Sequence, residues 1–270
     1  MSQKSLDIEV RMHNKIRYEV QGPVVTLTLD DQATRNALAD DTLDELLSAL
    51  TRAGEDDAIR VVVLRSADPK VFSSGGNLKS FIDDRPIMEK YAGLDRFPRL
   101  YEAIAEIGKP VVCAAEGDVL AGAFGLALAC DFIVAADDVK FGCPEINVGV
   151  FPFMISALIY RSVPRTKANE LMMTGELISA QEAARLDIVN RIVPREEFEE
   201  ALTGLVERLA TRSPLMMRLG KNALTATRDM PFRDALDYLK TQLALVFTTQ
   251  DVAEGVQALL EKREPQWQGK

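Results

Sequence analysis

The stretch "PVVCAAEGDVLAGAFGLALACDFIVAAD", residues 110–137, decides the fold. "PVVCAA" is a short, wholly apolar run, the mark of a strand buried on both faces of a parallel sheet. "EGD" turns the chain, and "AGAFGLALAC" is bare enough for a helix packed close against its neighbours. "DFIVAAD" then returns as a second apolar strand. Strand, glycine-bearing junction, helix and strand form the unit from which α/β folds with parallel crossovers are built.

The cycle recurs on both sides. "VVTLTL" (24–29) alternates with period two and reads as a strand, in a hairpin with "IRYEV" (16–20). "TLDELLSALTRAGED" carries leucines at helical spacing, and "VVVLRS" (61–66) is another apolar strand. The loop "VFSSGGNLKSF" leads into a helical region near 86–107, and "VKFGCPEINVG" follows the second strand of the opening stretch. From Thr166 onward the segments read as helices, ending with "DVAEGVQALLEKR". The expected organisation is a leader at 1–15, an α/β core at 16–195 and a helical region at 196–270 packed on the sheet or on a partner chain.

With 270 residues, 47% of them hydrophobic, the chain can bury one large core. A net charge of −9 argues against nucleic acid as a partner, so an anionic ligand must be held by a local cluster of donors. Cys113, Cys130 and Cys143 lie in apolar runs without CxxC spacing and read as small hydrophobes in a reducing compartment. No apolar run approaches the roughly 20 residues that cross a bilayer. The opening "MSQKSLDIEVRMHNK" has no apolar targeting core, and Asp7 and Glu9 spoil a transit reading, so a cytoplasmic protein is expected.

Several chemistries fail on residue type. Gly117 and Gly122 have phosphate-loop spacing, but Ala123-Phe124 stand where Lys-Ser/Thr is required. There is no GxGxxG after a strand and no GxSxG, and the one histidine, His13, lies in the polar leader. A zinc site is not expected either. Chemistry must then come from carboxylates and backbone amides. "SSGGN" (73–77) and "LAGAFG" (120–125) each stand between a strand and a helical segment, where unpaired N–H groups face outward. Either loop alone is satisfied by tight turning. Two on successive units, aimed at one point, make an oxyanion hole.

"FSSGGNL", the opening stretch, "FGCPEINVG", "RNAL" (35–38), "TGELISAQEAARLDIVNRIVP" (174–194), "SPLMMRLGKNAL" (213–224) and "EKREPQWQGK" together resemble the crotonase, or enoyl-CoA hydratase/isomerase, superfamily. The likeness runs in order from about Tyr18 to the C-terminus. It implies an α/β spiral of ββα units with a C-terminal helical trimerisation region, in a homotrimer or dimer of trimers. It implies an acyl-CoA thioester substrate, with coenzyme A entering as part of the substrate and no prosthetic group. By position, the resemblance makes Gly76 and Gly122 the two amides that hold the thioester oxygen. Glu145 matches the family's catalytic glutamate, and burial beside an acyl chain would raise its pKa toward the range of a proton shuttle. A surface-turn carboxylate is the structural alternative.

The resemblance also implies a CoA path past Arg35, Ala37, Ser74, Gly75, Asn77, Leu78 and Lys79, with Lys262 or Arg263 reaching a ligand from near the C-terminus. For the basic residues an ordinary solvated charge is the alternative. Phe151, Phe153 and Met154 in "VFPFMISAL", and Phe124, are candidate walls of an acyl pocket, or else core. The main departure from the family is Gly125, which stands where a hydratase of the family has its second glutamate. One carboxylate suffices for double-bond migration, which becomes the expected reaction. Hydration with another water-positioning group, with Glu116 and Asp118 as candidates, and a non-catalytic acyl-CoA binder are the alternatives.

Overall fold

The computed structural model describes residues 10–12 and 15–270; His13 lies outside the described residues. The chain begins with β1 (Val10–Met12), β2 (Ile16–Gln21) and β3 (Val24–Leu29), an antiparallel ribbon, so the sheet starts inside the segment expected as a leader. α1 (Asp40–Glu55) follows, burying Leu43, Leu46 and Leu50 one helical turn apart.

Three ββα units come next. The first is β4 (Val61–Ser66), β5 (Val71–Ser73) and the helices α2 (Ile87–Leu94) and α3 (Arg96–Glu106). The second is β6 (Val111–Ala115), β7 (Asp118–Leu120) and α4 (Gly122–Ala129). The third is β8 (Phe132–Ala136), β9 (Lys140–Gly142) and α5 (Phe153–Ser162). In each unit the first strand joins a large sheet and the second a small one, which turns the chain into a spiral. α6 (Arg165–Thr174), β10 (Ile178–Ser179), α7 (Ala180–Arg185) and β11 (Arg191–Val193) close both sheets. The large sheet has the order β1-β2-β3-β4-β6-β8-β11 and the small one β10-β9-β7-β5. From β3 to β11 the large sheet is parallel throughout.

Every residue of β6 is buried, and so are residues 122–127 of α4. A helix apolar all round is a core helix. Its alanines and glycines let it seat against α5, α3 and β7, which is why the opening stretch is so bare. α8 (Phe198–Ala210) packs Phe198, Leu202, Leu205 and Val206 into the same core. The helical region expected from 196 thus begins with a helix packed on the sheet's core. α9 (Pro214–Thr227), α10 (Phe232–Val246) and α11 (Gln250–Glu261) bury few residues and expose Phe232, Leu243, Phe247, Leu259 and Leu260. Among the described residues, no helix is long and apolar enough to cross a membrane.

Candidate active site

The first loop is fixed from three directions. Asn36, buried with φ +55, donates from its amide to the Ser66 hydroxyl and the Phe72 carbonyl. The Ser73 hydroxyl donates to the Asn36 carbonyl and accepts from Gly75 N–H. Leu38 N–H donates to the Gly75 carbonyl at 2.8 Å. In a trans peptide the carbonyl and the following N–H point opposite ways, so tying the Gly75 carbonyl to Leu38 turns Gly76 N–H to the other side. The loop continues into a four-residue 3-10 turn, Leu78–Phe81. Here the sequence expectation of a helix is corrected, and no helix dipole assists this amide.

The second loop holds Ala121 at φ +53, ψ −130, a conformation suited to glycine, immediately before α4. Ala121 is anchored by its N–H donating to Gly142 O at 2.9 Å and by its carbonyl accepting from Phe124 N–H at 2.8 Å. Gly122 is the first residue of α4, so its N–H has no acceptor within the helix. Among the described residues neither Gly76 N–H nor Gly122 N–H has an acceptor. The loops touch: a β-carbon on Gly122 would lie 3.5 Å from Gly76 N, and one on Gly75 3.0 Å from Gly122 N. Two unpaired donors thus stand side by side.

Both glycines line a cavity of about 1050 Å³. Glu145 lines it too, on the 3-10 turn Pro144–Val148 that follows β9. Its Oε2 is buried with no hydrogen-bond partner. Burial pushes its pKa up to about 7, with its own main-chain N–H acting in the opposite sense. Phe97, Leu94, Phe151, Phe153, Met154 and Ile155 supply an apolar wall. An unpartnered carboxylate that can take or give a proton near neutrality, beside paired amide donors, suits chemistry in which negative charge develops on a carbonyl oxygen.

Of the residues expected at the site, Ser74, Gly76, Asn77, Leu78, Lys79, Gly122, Glu145 and Phe153 line the cavity. Gly75 lies behind the wall, where it spaces the loops. Arg35 and Ala37 flank it: the Arg35 carbonyl accepts from Ser74 N–H at 3.0 Å, but neither side chain is in the lining. Lys262 ends α11 in the left-handed conformation and is not in this chain's cavity. Arg263 is held by Glu254 and Glu261. Phe124 is a correction: it is fully buried against Phe141, ring centres 6.2 Å apart, on the core side of α4.

The two candidate replacements for a second carboxylate are committed elsewhere. Glu116 pairs with Arg65, and Asp118 accepts from Lys140 N–H at 2.9 Å. The residues missed in the sequence are Leu38, which aims an amide, and Phe97 and Tyr101 of α3. A β-carbon on Gly125 would lie 2.7 Å from the Tyr101 hydroxyl and 2.4 Å from Ile155 Cγ2. The space of the absent side chain is filled.

The two-sheet spiral thus brings an amide pair and a half-buried carboxylate to one cavity. The family model described as enoyl-CoA hydratase/isomerase matches residues 19–270, and the chain belongs to that family. A carnitinyl-CoA dehydratase of Citrobacter koseri is 32% identical over 264 residues, covering 96% of this chain and 100% of the relative. The crystal structure of an enoyl-CoA hydratase from Bacillus anthracis superposes with a TM-score of 0.88 at 30% identity, covering 97% of this chain and 99% of that one. Human enoyl coenzyme A hydratase domain-containing protein 3 gives a TM-score of 0.91 at 26% identity, covering 94% and 100%. The crotonase-like fold and an acyl-CoA enzyme family are thereby established.

Proposed function

We propose that the protein moves a proton at the α-carbon of an acyl-CoA thioester, with Glu145 as its single carboxylate acid/base, and that its reaction is migration of a double bond between the 3- and 2-positions. The thioester oxygen lies between Gly76 and Gly122 N–H. Glu145 takes a proton from C2, and the electron pair of the C–H bond spreads into a dienolate whose oxygen the amides stabilise. The protonated Glu145 then returns the proton to C4, leaving the double bond between C2 and C3. One such amide is typically worth about 3 kcal/mol of barrier. The observation that carries the reading is the half-buried Glu145, its Oε2 covered and unpartnered, lining the same cavity as both free amides.

CoA enters as part of the substrate, along Ser74–Lys79. The exposed apolar faces of α10 and α11 support a homotrimer or dimer of trimers. Hydration of a 2-enoyl thioester is the second reading. It is favoured by the hydratase and dehydratase names of the relatives and by the Tyr101 hydroxyl beside Gly125. Matched 2-enoyl and 3-enoyl thioesters, followed by mass spectrometry, separate the two. Migration without mass gain supports the first reading, and rapid gain of water by the 2-enoyl substrate overturns it in favour of the second. Glu145→Gln should lose turnover while keeping CoA binding; undiminished turnover in that variant removes Glu145 from the mechanism.

A further inference from the structure

Two buried polar atoms, one on a residue that lines the cavity (Glu145) and one behind its wall (Tyr101), have no partner, and they are chemically complementary. The Tyr101 hydroxyl is completely covered and bonds to nothing; Glu145 Oε2 is equally covered and equally unpaired. Buried polar atoms are nearly always paired, so each unpaired one calls for an explanation. A phenol donates and a carboxylate accepts. Burial, and after it the Glu145 charge, hold the Tyr101 phenol far above its ordinary range, so it keeps its proton.

The position of Tyr101 is not incidental. It lies one turn after Phe97 on α3, with ring centres 6.2 Å apart, and Phe97 lines the cavity. Its hydroxyl sits where a side chain at position 125 would begin, against Ile155, another lining residue. A side chain at 125 and the tyrosine at 101 therefore exclude each other sterically. A hydroxyl thus stands where a side chain at 125 would begin, arriving from a different helix.

We propose that Tyr101 is a positioning residue for Glu145: when substrate closes over the site, its O–H donates to Glu145 Oε2, directly or through one water. Catalytic hydrogen bonds are often long without substrate and tighten in the complex. The bond would fix which carboxylate oxygen meets the substrate proton, and it would favour the ionised form. No other charged side chain contributes to the elevated Glu145 pKa among the described residues. The groups that feel its charge are Tyr101 from α3 and Cys143, two residues before it, whose thiol donates to Leu171 O. The inference rests on Glu145 being the acid/base.

Tyr101→Phe removes the hydroxyl and keeps the ring. The expected result is a fall in kcat of about 10-fold or more, the usual scale for losing a hydrogen bond to a charged group, with KM unchanged. The acidic limb of the pH–kcat profile should move upward as the ionised carboxylate loses its donor. A purely structural tyrosine would instead leave kcat and the profile unchanged, while the melting temperature stayed level or rose; that result overturns the proposal. Phe97→Leu perturbs the same packing without touching the hydroxyl, so an equal displacement of the profile in both variants also overturns it. Failure of the Glu145 reading would appear separately, as turnover surviving in Glu145→Gln.

Discussion

A β-carbon placed on Gly75 would lie 2.4 Å from the β-carbon of Ala121, so the two amide-bearing loops are in direct contact. Gly75 has φ +87, which favours glycine regardless of space. Gly75→Ala should therefore wedge the loops apart and misalign Gly76 and Gly122 N–H. A fall in kcat of about 10²–10³ is expected, the loss seen when one oxyanion donor is removed.

Gly76→Ala provides the contrast. Its β-carbon would meet only the Phe81 ring, at 3.8 Å, so nothing in the protein forbids it. The variant should melt within about 1 kcal/mol of the parent, yet turn over poorly because the methyl group occupies ligand space. Circular-dichroism melts and initial rates on the two variants separate a packing glycine from a ligand-facing one.

Glu145 gives a pH dependence with a defined sign. Its folded-state pKa of about 7 lies above the ordinary 4.5. Below pH 4.5 the group is neutral folded or unfolded and contributes nothing to stability. Between 4.5 and 7 the unfolded chain releases the proton that the folded chain keeps, so stability falls as pH rises, and the cost is complete above 7. Glu145→Gln should accordingly gain about 1–3 kcal/mol at pH 8 and almost nothing at pH 4. The parent's turnover should rise with pH through about 7, as the base ionises. Urea titrations at the two pH values, with rate profiles, check both halves.

Much of this was legible in the chain. Apolar strands such as 61–66 and 111–115 are buried on both faces and carry no alternation, so they announce a parallel sheet directly. Glu145 and the two bare loops stood out because a lone acid or a run of glycines interrupts otherwise apolar sequence. Tyr101 did not stand out. It shares the amphipathic face of α3 with buried Leu100 and Ile104, and its spacing is that of a core residue. Phe124 misled for a related reason: in a helix apolar all round, no polar face tells which side meets a cavity.

Gly125 and Gly204 make a controlled pair, both inside helices. A β-carbon at 125 collides with Ile155 and the Tyr101 hydroxyl, whereas at 204 it meets nothing within 4 Å. Gly125→Ala should cost about 1–3 kcal/mol by overpacking, and Gly204→Ala should gain about 0.5–1 kcal/mol from helix propensity. It follows that Gly125→Glu alone does not restore a second carboxylate, because its stem has no path past Tyr101. A hydratase activity appearing in that single variant would contradict the packing described for α3 and α5.

The basic residues near the mouth differ in reach. Lys79 lines the cavity and follows the loop that carries Gly76, while Arg35 is exposed and touches that loop through its carbonyl only. If CoA phosphates pass this loop, Lys79→Ala should raise KM by up to about 5-fold, the worth of an exposed ion pair of about 1 kcal/mol, with kcat unchanged. Arg35→Ala should change KM by less than about 2-fold, within the range of contacts that contribute nothing measurable. The Lys79 effect should shrink as salt is raised, because an exposed pair is screened. Initial-rate kinetics at low and high ionic strength decide the matter. Equal effects of the two variants would place the phosphates outside the loop, and a salt-independent loss at Lys79 would mean that its aliphatic stem, not its charge, contacts the ligand.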